Sequence, residues 1–199
     1  MKVPVSVYAE MTPNPNTMKF VVNKNLVEGP GLEFNTTIDS SISPIASKLL
    51  NFPFVDNVFI SGNFITITKN DKIDWDMVVM DVREFITDFL REGGLVINEG
   101  VDVAELAKAN QAIDEKDLNV VTSDLDKKII DTLDEYIRPA VENDGGSIDF
   151  KHFKDGIVTV VLRGSCSGCP SSTVTLKHGV ENLLTRTFPE VKEVVAEAM

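Results

Sequence analysis

The chain holds its two cysteines in one run, Val160-Val-Leu-Arg-Gly-Ser-Cys-Ser-Gly-Cys-Pro-Ser-Ser-Thr173. The apolar residues that open the run are typical of a strand, and Pro170 suits the first position of a helix. The run therefore predicts a strand, a short loop containing Cys166 and Cys169, and then a helix. We expect the uncapped N–H groups and the positive end of that helix to lower the pKa of both thiols, which favours thiolate near the surface.

Two thiols at this spacing act as a chelate or as a redox pair, and three chemistries fit them. Two chains that each give two thiolates complete the four-cysteine set of a [4Fe–4S] cluster, and a two-fold dimer achieves this with one surface. A thioredoxin-like dithiol/disulfide oxidoreductase also places such a pair at a helix start, but too little chain follows Cys169 for the rest of that fold. Half of a zinc site would need His152 or His178, which are expected on a strand surface and well inside the helix.

The surrounding segments predict one folded unit over residues 123–199. Ser123 and Asp126 form a capping-box pattern, and the helix that follows has apolar residues at four-residue steps until Pro139 kinks or shortens it. A hairpin with its turn at Lys154-Asp-Gly156 comes next, and its return strand leads into the cysteines. A second helix and a final strand near residues 191–196 complete the unit. The second helix is expected to bury Val174, Leu176, Val180, Leu183 and Leu184.

Residues 1–95 predict a separate small unit of strands and helices. Thr17–Val22 has the composition of a strand, and Ser43 followed by proline marks a helix start. The segment from Val55 to Thr68 predicts a hairpin, and Asp74 is expected to cap a longer helix that a glycine pair ends. The unit contains no cysteine or histidine and no arrangement typical of catalysis. Its core is expected to include Phe52, Phe54 and Trp75.

Residues 96–122 are acidic and alanine-rich, and their weak periodicity predicts a linker with one short helix around residues 103–113. The predicted fold class is therefore α+β, with two small domains, each a small sheet packed on helices, joined by an acidic linker. The predicted boundaries are 1–95, 96–122 and 123–199.

Composition and charge exclude several classes of function. The 199 residues are 43% hydrophobic and 25% charged, close to the globular average. A net charge of −12 argues against nucleic acid as a partner. No stretch reaches the roughly 18 apolar residues of a membrane span, and the first residues lack both the apolar core of a signal peptide and an arginine-rich presequence. Two cysteines do not form a disulfide framework, so a reducing cytoplasmic location is expected.

Several longer segments carry a family resemblance. In the second unit they are Ile137-Arg-Pro-Ala-Val-Glu-Asn-Asp-Gly-Gly146 and Leu162-Arg-Gly-Ser-Cys-Ser-Gly-Cys-Pro-Ser-Ser-Thr-Val-Thr-Leu-Lys-His-Gly-Val-Glu-Asn182. In the first unit they are Thr12-Pro-Asn-Pro-Asn-Thr-Met-Lys-Phe20, Ser43-Pro-Ile-Ala-Ser-Lys-Leu-Leu50 and Phe64-Ile-Thr-Ile-Thr68. The second unit closely resembles the C-terminal domain of NifU, also called the Nfu domain, and the first resembles the Nfu N-terminal domain.

The resemblance implies an iron–sulfur cluster scaffold or carrier rather than an enzyme. Such proteins hold a [4Fe–4S] cluster across a homodimer and transfer it to apo-proteins, and a [2Fe–2S] form is also compatible. Cys166 and Cys169 match the family's ligands residue for residue. The implied partners are apo iron–sulfur client proteins and upstream cluster-assembly proteins, and the first unit is expected to recognise clients.

Three positions near the cysteines have expected roles outside ligation. Ser147 stands where the family often has an acidic residue. The turn of residues 143–146 is expected to be structural, and Arg163 is expected to be a solvated charge at a strand end. No pair of carboxylates is placed for acid/base catalysis.

Overall fold

The computed structural model of the protein describes residues 4–29, 31–35, 40–101, 103, 123–167 and 170–198, without the side chains of residues 170–173 and 198. The chain divides into two compact units, residues 1–113 and 114–199. Each unit contains a sheet with helices, so the predicted α+β class is confirmed. Apart from Val103, the predicted short helix over residues 103–113 lies outside the described residues, as does most of the predicted linker.

The first unit is a five-stranded antiparallel sheet with two helices. Its elements are β1 (Val7–Met11), β2 (Thr17–Val22), β3 (Leu32–Asn35), α1 (Pro44–Leu49), β4 (Val55–Ser61), β5 (Phe64–Lys69) and α2 (Trp75–Arg91). The strand order is β1-β2-β5-β4-β3, with every neighbouring pair antiparallel. Its core joins both helices to the sheet through buried residues that include Phe20, Phe34, Ile60, Ile65, Val82 and Ile86. Trp75 and Phe54 belong to this core as predicted, and the half-buried Phe52 packs against it.

Local sequence signals account for most of these elements. β2, the β4–β5 hairpin and both helices are confirmed, and the Ser43 hydroxyl accepts a hydrogen bond from the Ala46 N–H at 3.2 Å. Asp74 occupies the predicted N-cap of α2, but its side chain makes no capping hydrogen bond. β1 and β3 were not predicted. β1 is an edge strand in which only Val7 is buried, and β3 has four residues, so neither shows a clear alternation.

The packed part of the first unit extends beyond its predicted end at residue 95. Val96 and Ile97 pack against the core, as does Val103. The Val96 carbonyl accepts a hydrogen bond from the Ser43 hydroxyl at 2.7 Å, and the N–H of Asn98 donates to the Ile42 carbonyl at 2.9 Å. The start of the predicted linker is therefore part of this unit.

The second unit is a three-stranded sheet with helices. Its described elements are α3 (Asp124–Tyr136), α4 (Arg138–Asn143), β6 (Gly146–Lys154), β7 (Ile157–Gly164), α5 (Pro170–Thr187) and β8 (Glu193–Ala198). The order β6-β7-β8 places β7 in the centre, antiparallel to β6 and parallel to β8. Ile129, Leu133, Ile148, Leu162, Val180 and Leu184 are among the buried residues of its separate core.

The predicted start and break of the first helical segment are both present. Ser123 and Asp126 form a reciprocal capping box, and the segment breaks at Ile137, so that Pro139 lies in the first turn of α4. The prediction for α5 was wrong at Val174, which is 53% exposed, whereas Val180 and Leu184 are buried. No helix in the described part of the chain is long and apolar enough to cross a membrane.

Candidate metal centre

The loop after the central strand carries Cys166. β7 ends at Gly164, whose φ of 66° lies in the left-handed region that favours glycine, and α5 begins at Pro170. The predicted strand–loop–helix order is therefore confirmed. Cys166 is only 7% exposed, so its thiol is less accessible than the expected surface position. Cys169 lies outside the described residues, so the geometry between the two sulfurs is not described.

The turn before β6 lies against this cysteine loop. The N–H of Ser165 donates to the Gly145 carbonyl at 3.2 Å, and the Ser165 hydroxyl donates to the Asp144 carbonyl at 2.5 Å. Gly145 has a φ of 83°, which a side chain would strain. The turn is structural as expected, and it also fixes the residue that precedes Cys166.

Gly146 leaves the space that the Cys166 sulfur occupies. A Cβ atom at position 146 would lie 2.6 Å from the Cys166 Sγ and 2.8 Å from the Arg163 carbonyl oxygen. Real Cβ atoms essentially never approach other atoms this closely. A side chain at this position would therefore displace either the sulfur or the end of β7.

Burial raises the pKa of the Cys166 thiol above its ordinary value of 9.0. The Ser165 hydroxyl, whose oxygen lies 3.9 Å from the sulfur, opposes this rise, and the negative charge of Asp144 adds to it. The predicted lowering of the pKa is therefore wrong for Cys166, because desolvation outweighs the effect of the nearby hydroxyl. The neutral thiol is the favoured form at neutral pH.

Arg163 is not a solvated charge. It is 2% exposed and forms an ion pair with Asp149. Asp149 also pairs with Arg138 at 3.4 Å, and Arg138 pairs with Asp134 at 2.8 Å. The strand register places Ser147 opposite Arg163, so Asp149 is its diagonal neighbour. A β-bulge between Phe150 and His152 shifts this register by one residue, so counting back from the predicted turn would have placed Ile148 opposite Arg163 and would have missed the pair.

The histidines are not placed as ligands beside Cys166. The His152 Nε2 lies 3.2 Å from the Thr159 hydroxyl, near the hairpin end of β7, whereas Cys166 follows the opposite end of that strand. His178 is exposed on α5. Within the described ranges, no group of three or more histidine, cysteine, aspartate or glutamate residues could hold a metal ion. Neither histidine therefore supplies a zinc ligand beside Cys166 within one chain.

Comparison with known proteins gives two family matches. Residues 7–93 match the model described as "Scaffold protein Nfu/NifU N terminal", and residues 129–195 match the "NifU-like domain" model. Both matches fall in the segments whose resemblance the sequence indicated.

Individual relatives cover most of the chain. The human protein "NFU1 iron-sulfur cluster scaffold homolog, mitochondrial" is 39% identical over 92% of this chain and 68% of its own length. "NifU-like protein 4, mitochondrial" from Arabidopsis thaliana is 35% identical over 96% of this chain and 65% of its own length. A solution structure of a NifU-like protein from Saccharomyces cerevisiae is 22% identical, with a TM-score of 0.43 over 48% of this chain and 86% of that one.

The predicted cytoplasmic location is wrong, because the human and Arabidopsis relatives carry "mitochondrial" in their names. The prediction rested on the small number of thiols. A low thiol count indicates reducing conditions, which are not confined to the cytosol.

Proposed function

This chain belongs to the Nfu/NifU family of scaffold proteins, and from that premise we propose that it carries an iron–sulfur cluster as cargo. The cluster would come from upstream assembly proteins and pass to apo-proteins that require one. In this role the protein acts as a carrier and has no enzymatic turnover of its own.

The proposed cargo is a [4Fe–4S] cluster held between two copies of the chain. Such a cluster takes four thiolates, and the chain has two cysteines, so Cys166 and Cys169 of each copy would supply half of the ligands. A [2Fe–2S] cluster needs the same number of ligands, so the ligand count does not distinguish the two types and the cluster type has to be measured. The observation that carries the proposal is the Cys166 sulfur, positioned by Gly146 at the end of the central strand.

The burial of Cys166 sets two conditions on its ligation of a cluster. A thiol binds iron as thiolate, so Cys166 must lose its proton when it becomes a ligand. Burial favours the protonated form of this thiol. Because Cys166 is 7% exposed, ligation also requires the loop to turn the sulfur outward.

The raised pKa weighs against the dithiol oxidoreductase alternative. An attacking thiol in disulfide exchange works best when its pKa lies near the ambient pH. Burial instead raises the pKa of Cys166, away from neutral pH. No described residue offers a cationic partner that would reverse this effect, since the nearby Arg163 is paired with Asp149.

Native mass spectrometry tests the proposal directly. The full chain is reconstituted with iron and sulfide without oxygen, and we expect a dimer that carries the mass of one four-iron, four-sulfide cluster. Cys166→Ser and Cys169→Ser should each abolish stable binding while circular dichroism shows an unchanged fold. Full cluster occupancy in either variant contradicts shared ligation. An iron-free monomer that becomes two hydrogen atoms lighter on mild oxidation supports the oxidoreductase, and a colourless protein with stoichiometric zinc supports a zinc site.

A further inference from the structure

One edge of the first sheet is open. β1 pairs with β2 on one side, and no other strand in the described part of the chain pairs with its opposite side. An edge strand presents a row of backbone N–H and C=O groups that can pair with another extended segment. Natural proteins usually protect such an edge with charged residues or prolines, whereas β1 has Glu10 as its only charged residue and contains no proline.

Two adjoining clefts run between this edge and α2. Their volumes are about 460 Å³ and about 480 Å³, and Tyr8, Met80 and Arg83 line both. Large apolar side chains are unusually exposed here: Tyr8 is 62% exposed, Met11 89% and Met80 58%. An exposed apolar patch beside an open edge is typical of a binding surface, and methionine adapts to side chains of different shape.

Arg83 supplies a charge for this surface. Its side chain lines both clefts and makes no hydrogen bond or ion pair with any residue that the structure describes. Arg91, the other arginine in the second cleft, is already paired with Asp88 at 2.7 Å. A carboxylate on a bound partner could therefore form an ion pair with Arg83, and this ion pair would lie next to apolar surface.

We propose that an extended segment of a partner protein binds here as an additional strand beside β1. Its backbone pairs with the open edge, a large apolar side chain enters the first cleft beside Met11 and Met80, and a carboxylate pairs with Arg83. This inference rests on the proposed carrier function, because it places the contact with client or assembly proteins on the first unit, away from the cysteine loop. Adaptable methionines suit a carrier that serves several clients.

Selection from a phage-displayed library of random ten-residue peptides tests the partner's chemistry. The full chain is the target, and we expect enriched peptides to combine a large apolar residue with a nearby acidic one. Binding should change the fluorescence of Trp75, the chain's single tryptophan, which lines the first cleft. Met80→Asp and Arg83→Glu should each weaken the enriched peptides by about tenfold or more.

A matched control is available on the same helix. Met77 is 74% exposed on α2 but lines neither cleft, so Met77→Asp should leave peptide affinity unchanged. Equal affinity of the peptides for Met77→Asp and Met80→Asp would overturn the proposal. So would enriched peptides that contain no more acidic residues than the starting library.

Hydrogen exchange tests the added strand. Alternate amides of β1 should become protected when a selected peptide binds, because only every second residue faces the open edge. Unchanged exchange in β1, or dimerisation of the iron-free chain through β1, contradicts an incoming partner strand.

Cluster loading of Met80→Asp and Arg83→Glu should equal that of the unmodified chain. An unmodified chain that loads a cluster but enriches no peptide would contradict the docking site alone, whereas an unmodified chain that binds the peptides but takes up no cluster would contradict the carrier function alone.

Discussion

At the scale of single residues, Gly146 determines where the Cys166 sulfur lies. Gly146→Ala places a methyl group 2.6 Å from that sulfur and 2.8 Å from a backbone carbonyl, which cannot easily move. We expect a loss of about 1–3 kcal/mol in the free energy of unfolding and a lower cluster yield. Urea denaturation and the visible absorbance of the reconstituted cluster measure the two effects.

Gly179 provides the control for that substitution. It lies in α5, and a Cβ atom there would meet no atom within 4 Å. Gly179→Ala should stabilise the chain by about 0.5–1 kcal/mol, because alanine favours a helix interior. Equal losses in the two variants would mean that the contact at Gly146 is unimportant.

The raised pKa of Cys166 predicts an unusual pH profile for its alkylation. In Cys169→Ser, Cys166 is the only thiol. Its alkylation by iodoacetamide should be slow at neutral pH and still be rising beyond pH 9.0, because burial raises the folded pKa above that value. The same chain unfolded in urea should level off near the ordinary pKa. A folded-state plateau below about pH 8 would contradict this assignment.

At the scale of secondary-structure elements, an ion-pair chain connects the hairpin to the helices before it. Asp149 on β6 pairs with Arg163 on β7 and with Arg138 on α4, and Arg138 pairs with Asp134 on α3. The Arg163 side chain is 3% exposed and the Asp149 side chain 14%, so this first pair is largely removed from water. Breaking it would leave an uncompensated buried guanidinium.

Asp149→Asn measures how much that carboxylate contributes to the stability of the protein. We expect a loss of about 3–5 kcal/mol in the free energy of unfolding, because two arginines lose their shared partner. Asp134→Asn removes only the more exposed end of the chain and should cost less than about 1 kcal/mol. Thermal and urea denaturation of both variants measure the difference, and similar losses would show that burial does not strengthen the inner pair.

Local chemistry made many elements predictable. The Ser123 capping box, the proline at the start of α1 and the Asp155-Gly156 turn each act within a few residues, so the sequence alone indicates them. β1 was not predicted because it is an edge strand with a single buried residue, so its sequence lacks the alternation of apolar and polar residues that indicates a strand. Val174 was wrongly predicted to be buried. The helix pattern indicates which residues share a face, but not how much of that face the neighbouring elements cover.

At the scale of the whole molecule, the two units have separate hydrophobic cores. Ile86→Ala in the first core and Leu133→Ala in the second should each cost about 2–5 kcal/mol, but only within their own unit. Trp75 fluorescence follows the first unit, and peptide-resolved hydrogen exchange follows both. Equal acceleration of exchange in both units by either substitution would contradict independent cores.

The sequence motif predicts the ligands of the candidate site but not their environment. The spacing of Cys166 and Cys169 and the surrounding motif identify them as candidate cluster ligands, and this stays a prediction. The burial of Cys166 and the pairing of Arg163 depend on how the turn of residues 143–146 and strand β6 pack against the loop. Such tertiary contacts override the local expectation of a lowered thiol pKa and a solvated arginine.

The parallel pairing of β8 with β7 also has a consequence for biosynthesis. The ribosome delivers Cys166 and α5 before residues 193–198, so for an interval β7 has only β6 as a neighbour. A two-stranded hairpin is only marginally stable in water, so we expect the β6–β7 pair to be weak during that time. We therefore expect the sheet of the second unit to be completed only when residues 193–198 have left the ribosome.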